Sequence, residues 1–234
     1  KESFETAGYV IPEISKEIVF DLADYGGPQK RKRVILFGVK KGRSQKQAMS
    51  LIQAFYEQMS LNRRSGISVE QAIGDLPALN PSRNKNTKES HKLSGNDSLH
   101  IPRYHNKRDM EIFRLLAKDA LSKKPKYTSS EALKELYTKK TKKVSAVHKY
   151  HVLKKDGQSN LIPAHLYKDG LRHIHYDPAQ ARSITMREAA RLQTFPDKYQ
   201  FVGSQGDIYK MIGNAVPPLL AKVIARNIKK CIKA

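Results

Sequence analysis

Two short apolar runs near the start of the chain constrain its fold more than any other feature. They are GYVIPEI at residues 8–14 and RVILFGV at residues 33–39, and glycine or proline punctuates each. Runs of this length are typical of strands with both faces covered, which occur in sheets flanked by helices. We therefore expect two neighbouring strands of one sheet in an α/β protein. The 234 residues are enough for a sizeable core.

Helical periodicity and capping patterns occupy much of the remaining chain. Periodic apolar residues predict helices over residues 44–61, 107–121 and 129–138. A Ser or Thr followed three residues later by Gln or Glu predicts a helix start. Such starts, and a final helix entry at a proline, are expected at Ser68, Thr128, Thr185 and Pro217. The segments KYHVL, LIPAHLY and RHIHY instead predict hairpin strands.

The net charge of +22 restricts the possible partners. Self-repulsion of this size costs stability unless a polyanion offsets it, so nucleic acid is the first partner to consider. More than half of the excess lies between Arg83 and Arg172. A well-solvated basic face is the alternative, and a general RNA-binding protein is disfavoured because no stacking module is evident. Residues 79–106 have the polar composition of a mobile basic loop.

Three donor side chains alternate just before the second apolar run. Gln29, Arg31 and Arg33 have a period of two, so in an extended segment all three point the same way. Guanidinium groups suit phosphate oxygens or a base carbonyl, whereas cations on an edge strand also serve solubility. These residues alone leave both interpretations open.

The neighbouring segments favour the first interpretation. GPQKRKRVILFGV is followed, after a long basic stretch, by RSITMREAARLQTFPDKYQF and YKMIGNAVPPLLAKVIARNI. In this order they resemble motifs VIII, IX and X of the cytosine-C5 DNA methyltransferases. The resemblance implies the C-terminal portion of a Rossmann-like methyltransferase fold, a mixed sheet edge plus C-terminal helices, with an inserted α+β target recognition domain. The implied segments are 1–43 (motif VIII), 44–180 (recognition domain) and 181–234 (motifs IX and X).

The resemblance also implies chemistry. Such enzymes flip a cytosine out of the duplex, attack C6 with a cysteine thiolate and methylate C5 from S-adenosylmethionine. Arg31 and Arg33 would serve phosphates and the cytosine carbonyl as catalytic residues, and Gln29 would order their loop beside the DNA. Asn214, Ala215 and Val216 match the methyl-donor contact of motif X. His165 is a further implied DNA contact, and the charge of the KKTKK run predicts phosphate contacts for Lys139, Lys140, Lys142 and Lys143. Structural support is implied for Arg182, Arg187 and Glu188.

The chain also departs from the family pattern. It contains no Pro-Cys dipeptide, and Cys231, its single cysteine, lies on a helical stripe, so we do not expect Cys231 to be the nucleophile. The Gly-rich motif I and the Glu-Asn-Val of motif VI are also absent. Leu161 stands where the family commonly has a threonine that contacts the DNA backbone, and His165 is a candidate substitute. Five histidines, expected at the surface or on phosphates rather than on a metal, are His91, His100, His105, His148 and His151.

These features predict the C-terminal part or subunit of a DNA (cytosine-5-)-methyltransferase, inactive alone. Its expected partners are double-stranded DNA and an N-terminal half that supplies the nucleophile, the glutamate and most of the S-adenosylmethionine site, without a metal. The alternative is a non-catalytic DNA-binding remnant. No run of eighteen apolar residues occurs, so no membrane is expected, and a bacterial source would imply a cytoplasmic, nucleoid-associated protein.

Overall fold

The computed structural model describes residues 1–40, 42, 44–82, 89–92, 95–168 and 170–233. Among these residues α-helices supply most of the regular secondary structure, together with four short strands. The strands are β1 (Tyr9–Val10), β2 (Val19–Asp21), β3 (Lys32–Val34) and β4 (Val39–Lys40). The helices are α1 (Glu2–Thr6), α2 (Gln45–Leu61), α3 (Val69–Ile73), α4 (Lys107–Ala120), α5 (Ser130–Thr141), α6 (Met186–Leu192), α7 (Gln205–Asn214) and α8 (Pro218–Lys233). None of the described helices is long and apolar enough to span a bilayer.

The strands form two small antiparallel pairs. Strand β1 pairs with β4, with Val10 opposite Val39, so the two apolar runs are neighbours as expected. Strand β2 pairs with β3, with Phe20 opposite Arg33. The strands are shorter than predicted, and Val34 is 62% exposed. The expectation that both strand faces are covered is therefore wrong within the described part of this chain.

One core unites the two ends of the chain. Helix α2 packs against α8, and β2 lies beside them. The buried members of this core are Phe20, Leu22, Tyr25, Phe55, Met59, Leu220 and Cys231. The prediction of a helix over 44–61 is confirmed, with Ser44 capping α2 through a capping box. Helix α2 therefore packs with segments from both ends of the chain.

Two further cores contain five of the other helices. Helices α3, α6 and α7 pack together around Tyr209 and Ile212, with Leu153, Ile162 and Leu166 from the middle of the chain. Helices α4 and α5 share a core with Tyr150 and Ile174. The middle strands predicted as hairpins are reduced to single bridges, such as the parallel pair of Val152 and Ile174. The core around Tyr209 and Ile212 joins the middle of the chain to the C-terminal segment.

Most predicted helix starts are confirmed. Ser68 and Thr185 cap α3 and α6 in complete capping boxes. Helix α5 is capped by Ser129, one residue after the predicted Thr128. Helix α7 was not predicted, although Ser204 caps it in a box with Asp207. A pattern search restricted to Glu or Gln at the third position misses this aspartate.

The expectation of a mobile loop over 79–106 is wrong for its described residues. Leu79, His91, Leu99, His100 and His105 are all buried. Polar side chains provide many of the contacts, because Ser90 and Gln180 hydrogen-bond with this segment. Residues 83–88 and 93–94 lie outside the described structure.

Candidate functional site

The fully buried side chain of Gln29 joins segments that are distant in sequence. Its Nε2 donates to the carbonyl oxygen of Leu192 at 3.1 Å and to Oε1 of Gln193 at 2.7 Å. Its Oε1 accepts from the backbone amide of Ile162 at 3.0 Å. Both ends of the amide are thus satisfied, and residues 28–30 also exchange backbone bonds with Ser159.

Arg31 is the second buried donor in this region. Its Nη1 donates to the carbonyl oxygen of Ile162 at 3.1 Å, and its Nη2 donates to the carbonyl oxygens of Gly213 at 2.8 Å and Ala215 at 3.2 Å. Its Nε has no partner in the described structure. Burial, with a smaller contribution from Arg33, lowers the pKa of Arg31 to about 10, so it remains charged at neutral pH.

Gln193 completes this arrangement. Its Nε2 donates to the carbonyl oxygens of Ile212 at 2.9 Å and Ala215 at 3.0 Å. We call Gln29, Arg31 and Gln193 the polar hub. It connects the three motif segments and the Ile162 segment through charged or amide groups that would be costly to leave unpaired. Gln193 was not among the predicted site residues, because no local sequence pattern distinguishes it.

The expectation that Gln29, Arg31 and Arg33 share one open face is wrong. Gln29 and Arg31 are buried, and their side chains bond within the chain. Arg33 is exposed, and its Nη1 donates to the carbonyl oxygen of Lys32 at 2.7 Å. Of the two arginines, Arg33 has its side chain at the surface and Arg31 is buried.

The predicted methyl-donor residues lie at the junction of α7 and α8. Asn214 and Val216 are exposed, and Ala215 is partly buried with its carbonyl held by the polar hub. Gly213 makes this position possible, because an added Cβ would lie 2.4 Å from the carbonyl oxygen of Pro163. An exposed amide and an apolar side chain on a fixed backbone fit one edge of a site for S-adenosylmethionine, but they do not enclose it.

Arg182 and Glu188 form a buried bidentate ion pair. Arg182 Nη1 donates to Oε2 of Glu188 at 2.7 Å, and Nη2 donates to Oε1 at 2.6 Å. Thr185 donates its backbone amide to the same carboxylate at 2.7 Å. Burial raises the pKa of Glu188, but the charge and hydrogen bonds of Arg182 outweigh this and lower it to about 2. The pair fixes the start of α6.

Two other arginines hold the outer side of α6. Arg187 binds Asp97 through Nε at 2.5 Å and the carbonyl oxygen of Asp197 at 3.0 Å. Arg191, which the sequence analysis did not single out, binds both Asp75 and Asp197. The three predicted support residues therefore bond to other groups of the same chain. They are Arg182, Arg187 and Glu188.

The expected surface position of the histidines is wrong for three of the five. His91 Nε2 donates to the carbonyl oxygen of Gln180, and its Nδ1 hydrogen-bonds with the Ser90 hydroxyl. His100 Nε2 donates to the carbonyl oxygen of Pro77, and its Nδ1 hydrogen-bonds with the Thr185 hydroxyl. His105 accepts from the backbone amide of Ser183 at 3.2 Å. His148 and His151 are partly buried. The described residues contain no cluster that could hold a metal ion.

Residues 161–168 form a loop that arginines hold at both ends. Arg31 binds Ile162, while Arg103 donates to the carbonyl oxygens of Leu166 at 2.6 Å and Tyr167 at 3.1 Å. The guanidinium carbon of Arg103 lies 4.3 Å from the ring centroid of Tyr209, a cation–π geometry. Arg103 has no local sequence signal. The loop carries Leu161, which is 37% exposed, and the exposed His165.

The four predicted DNA-binding lysines lie together at the end of α5. They are exposed, and Lys142 ends the helix with a left-handed φ of 60°. Cys231 lies elsewhere, in the core between α2 and α8, and is 4% exposed.

Comparison with known proteins identifies the class to which these motifs belong. The model of the C-5 cytosine-specific DNA methylase family matches residues 1–230. Type II methyltransferase M.Bpa9945I of Bacillus paralicheniformis is 34% identical and aligns with 99% of this chain and 55% of its own length. Type II methyltransferase M.DdeI of Desulfomicrobium norvegicum is 27% identical, with 97% and 56% coverage.

One solved structure has a similar fold. A crystal structure described as a DNA modification methyltransferase encoded within a prophage of E. coli superposes with a TM-score of 0.61 at 20% identity. The match covers 100% of this chain and 64% of that one. Because the family model matches residues 1–230, the chain belongs to the C-5 cytosine-specific DNA methylase family. It spans about half the length of the curated relatives given above.

Proposed function

We propose that this chain forms the C-terminal part of a cytosine-C5 DNA methyltransferase, which binds duplex DNA and completes the pocket for a flipped cytosine and S-adenosylmethionine. The polar hub carries the proposal. It ties the motif VIII, IX and X segments to one loop, so the residues expected to face DNA and methyl donor share a rigid support. A second half would supply the nucleophilic cysteine and the catalytic glutamate, which the sequence lacks.

In this proposal the hub residues act as positioning residues. Gln29 and Arg31 fix the backbone of the segment that carries Arg33. The Arg33 side chain then binds a phosphate or the cytosine carbonyl. Charge that develops on the base would be stabilised by such a guanidinium. Its exposure and its freedom from ion pairs in the described part of the chain support this role.

S-Adenosylmethionine supplies the methyl group when it is bound. The exposed Asn214 amide would donate or accept a hydrogen bond at one edge of this ligand, and Val216 would cover an apolar part of it. The Ala215 carbonyl is already used by Arg31 and Gln193, so its part is to fix the turn. Most of the contacts must come from the other half.

The recognition region would hold the duplex. Lys139, Lys140, Lys142 and Lys143 offer a compact group of exposed cations for phosphates, because counterion release favours such contacts. His165 lies on the loop clamped by Arg31 and Arg103 and would contact the DNA backbone in place of the threonine replaced by Leu161.

Transfer of a tritiated methyl group from S-adenosylmethionine to unmethylated duplex DNA tests the proposal. The chain would be assayed alone and mixed with the separately expressed N-terminal half of M.Bpa9945I, whose own C-terminal half serves as the positive control. Activity in the mixture alone supports the proposal. Salt-sensitive duplex binding without any methyl transfer would indicate the non-catalytic remnant instead.

A further inference from the structure

A cationic cleft lies on the side of the β2–β3 hairpin away from the polar hub. Lys30 and Lys32 alternate with the buried Gln29 and Arg31, so their side chains point the opposite way. They line a cleft of about 690 Å³ together with Arg63 and Arg64, which follow α2. Neither the motif resemblance nor the polar hub gives these four residues a role.

Close backbone packing brings the two cationic pairs together. Arg64 bridges to Tyr25, donating its backbone amide to the carbonyl oxygen of Asp24 at 2.8 Å and its Nε to that of Tyr25 at 3.1 Å. An added Cβ on Gly66 would lie 2.5 Å from the carbonyl oxygen of Gly27. The cleft is therefore part of the fold rather than a chance meeting of surface side chains.

The charges in the cleft are unbalanced. None of the four cations takes part in an ion pair among the described residues. Two carboxylates, Asp21 and Asp24, also line the cleft. Asp21 Oδ1 already accepts from the backbone amides of Arg31 at 2.7 Å and Ala23 at 3.2 Å. An excess of positive charge therefore faces solvent.

We propose that Lys30, Lys32, Arg63 and Arg64 form a binding site for consecutive phosphates of a DNA backbone. Guanidinium forks bind phosphate oxygens in a bidentate manner and ammonium groups bind them as point charges, so the cleft combines both kinds of contact. An open cleft suits a continuous strand better than a small enclosed ligand. The choice of DNA as the polyanion rests on the proposed function.

The site also has a mechanistic consequence. Lys30 and Lys32 lie on the same short segment as Gln29, Arg31 and Arg33, and the polar hub fixes that segment. A phosphate held in the cleft would therefore be fixed relative to Arg33. The cleft is thus expected to contribute to duplex binding through phosphates, without sequence preference.

Duplex binding by the full chain as a function of salt tests the site. The probe is a short fluorescein-labelled duplex, and anisotropy gives the affinity between about 50 and 200 mM KCl. Each lost phosphate contact should reduce the slope of log affinity against log salt by about 0.9. The variants K30Q/K32Q and R63Q/R64Q should each reduce the slope by about 1.8.

Charge-matched controls separate a specific site from general attraction. K222Q/K229Q removes the same two charges from exposed positions on α8 and should leave the slope unchanged. R63K/R64K keeps both positive charges and should retain most of the salt slope. Slopes of K30Q/K32Q and R63Q/R64Q equal to that of K222Q/K229Q would overturn the site. Because Arg64 also bonds Tyr25, unfolding of R63Q/R64Q would leave K30Q/K32Q as the deciding variant.

The binding test is independent of methyl transfer because it needs no methyl donor. If the cleft variants reduce the salt slope but the chain never supports methylation, the phosphate site is supported and the proposed enzyme function is rejected. Normal methylation with unchanged slopes would reject the cleft and keep the enzyme.

Discussion

The side-chain amide of Gln29 donates a 2.7 Å hydrogen bond to the side-chain oxygen of Gln193, across 164 residues of sequence. Gln193 in turn donates to the carbonyl oxygens of Ile212 and Ala215. Two amides thus connect the three segments that resemble family motifs. Since both are buried, their hydrogen bonds decide whether these segments stay together.

Replacing either amide should destabilise the chain, whereas replacing both should cost less than the sum. Gln193→Leu leaves the Gln29 amide short of a partner, and an unpaired buried polar group costs about 1–3 kcal/mol. Urea unfolding of Q29L, Q193L and Q29L/Q193L measures the coupling. Gln53→Leu, which affects an exposed helix pair, is the control. Additive losses in the double variant would contradict direct coupling.

Glu188→Gln should be more damaging, because it leaves the guanidinium group of Arg182 buried beside a neutral partner. Breaking one side of a buried ion pair typically costs about 3–5 kcal/mol. Thermal and urea unfolding of E188Q measure this loss. The exposed Glu57→Gln carries the same chemical change and should stay within about 0.5 kcal/mol of the parent. Equal stability of the two variants would show that the pair contributes nothing.

Mild acid should destabilise the fold through buried histidines. Burial lowers the pKa of His105 and His173 to about 3 and that of His175 to about 4. An unfolded histidine has a pKa near 6.5, so below about pH 6.5 the unfolded chain binds more protons. The stability from these groups is present above this pH and is lost as pH falls toward the folded values.

Urea unfolding at a series of pH values tests this linkage. Each histidine should contribute about 1.4 kcal/mol of lost stability per pH unit within the window between its unfolded and folded pKa. The exposed His165→Gln should leave the slope unchanged. Stability that is flat between pH 7 and 5 would mean that the three histidines are not buried as neutral groups.

Arg33→Ala should reduce methylation by the reconstituted enzyme at least about a hundredfold if the guanidinium stabilises charge on the base. Duplex affinity should fall much less, because one of many cationic contacts is lost. Arg226→Ala, on the exposed side of α8, is the matched control. A parallel loss of binding and turnover would assign Arg33 to phosphate binding, and wild-type turnover would reject its role.

Local patterns predicted the helices well but could not show which polar residues are buried. Ser44, Ser68 and Thr185 act within one turn, so their capping is visible in the sequence. His91 and Gln29 instead depend on partners 89 and about 164 residues away, which composition does not reveal. Because both residues are polar, a surface position was expected for them. In the fold both are buried.

The alternating side chains of residues 29–32 also show that a sequence pattern does not reveal which residues are buried. Period two correctly separated Gln29 and Arg31 from Lys30 and Lys32, but it could not say which set faces inward. The carbonyl groups of Ile162, Gly213 and Ala215 decide this, because they receive the Arg31 guanidinium. The motif resemblance identified the family from the same residues without this information.

The position of the methyl group in the product tests the central claim most directly. DNA treated with the mixture of this chain and a complementary N-terminal half would be digested to nucleosides and analysed by mass spectrometry with authentic standards. We predict 5-methylcytosine in the mixture and none with either half alone. Methylation at the exocyclic nitrogen of cytosine or adenine, or no modified base in a mixture that binds the duplex, would contradict a cytosine-C5 methyltransferase.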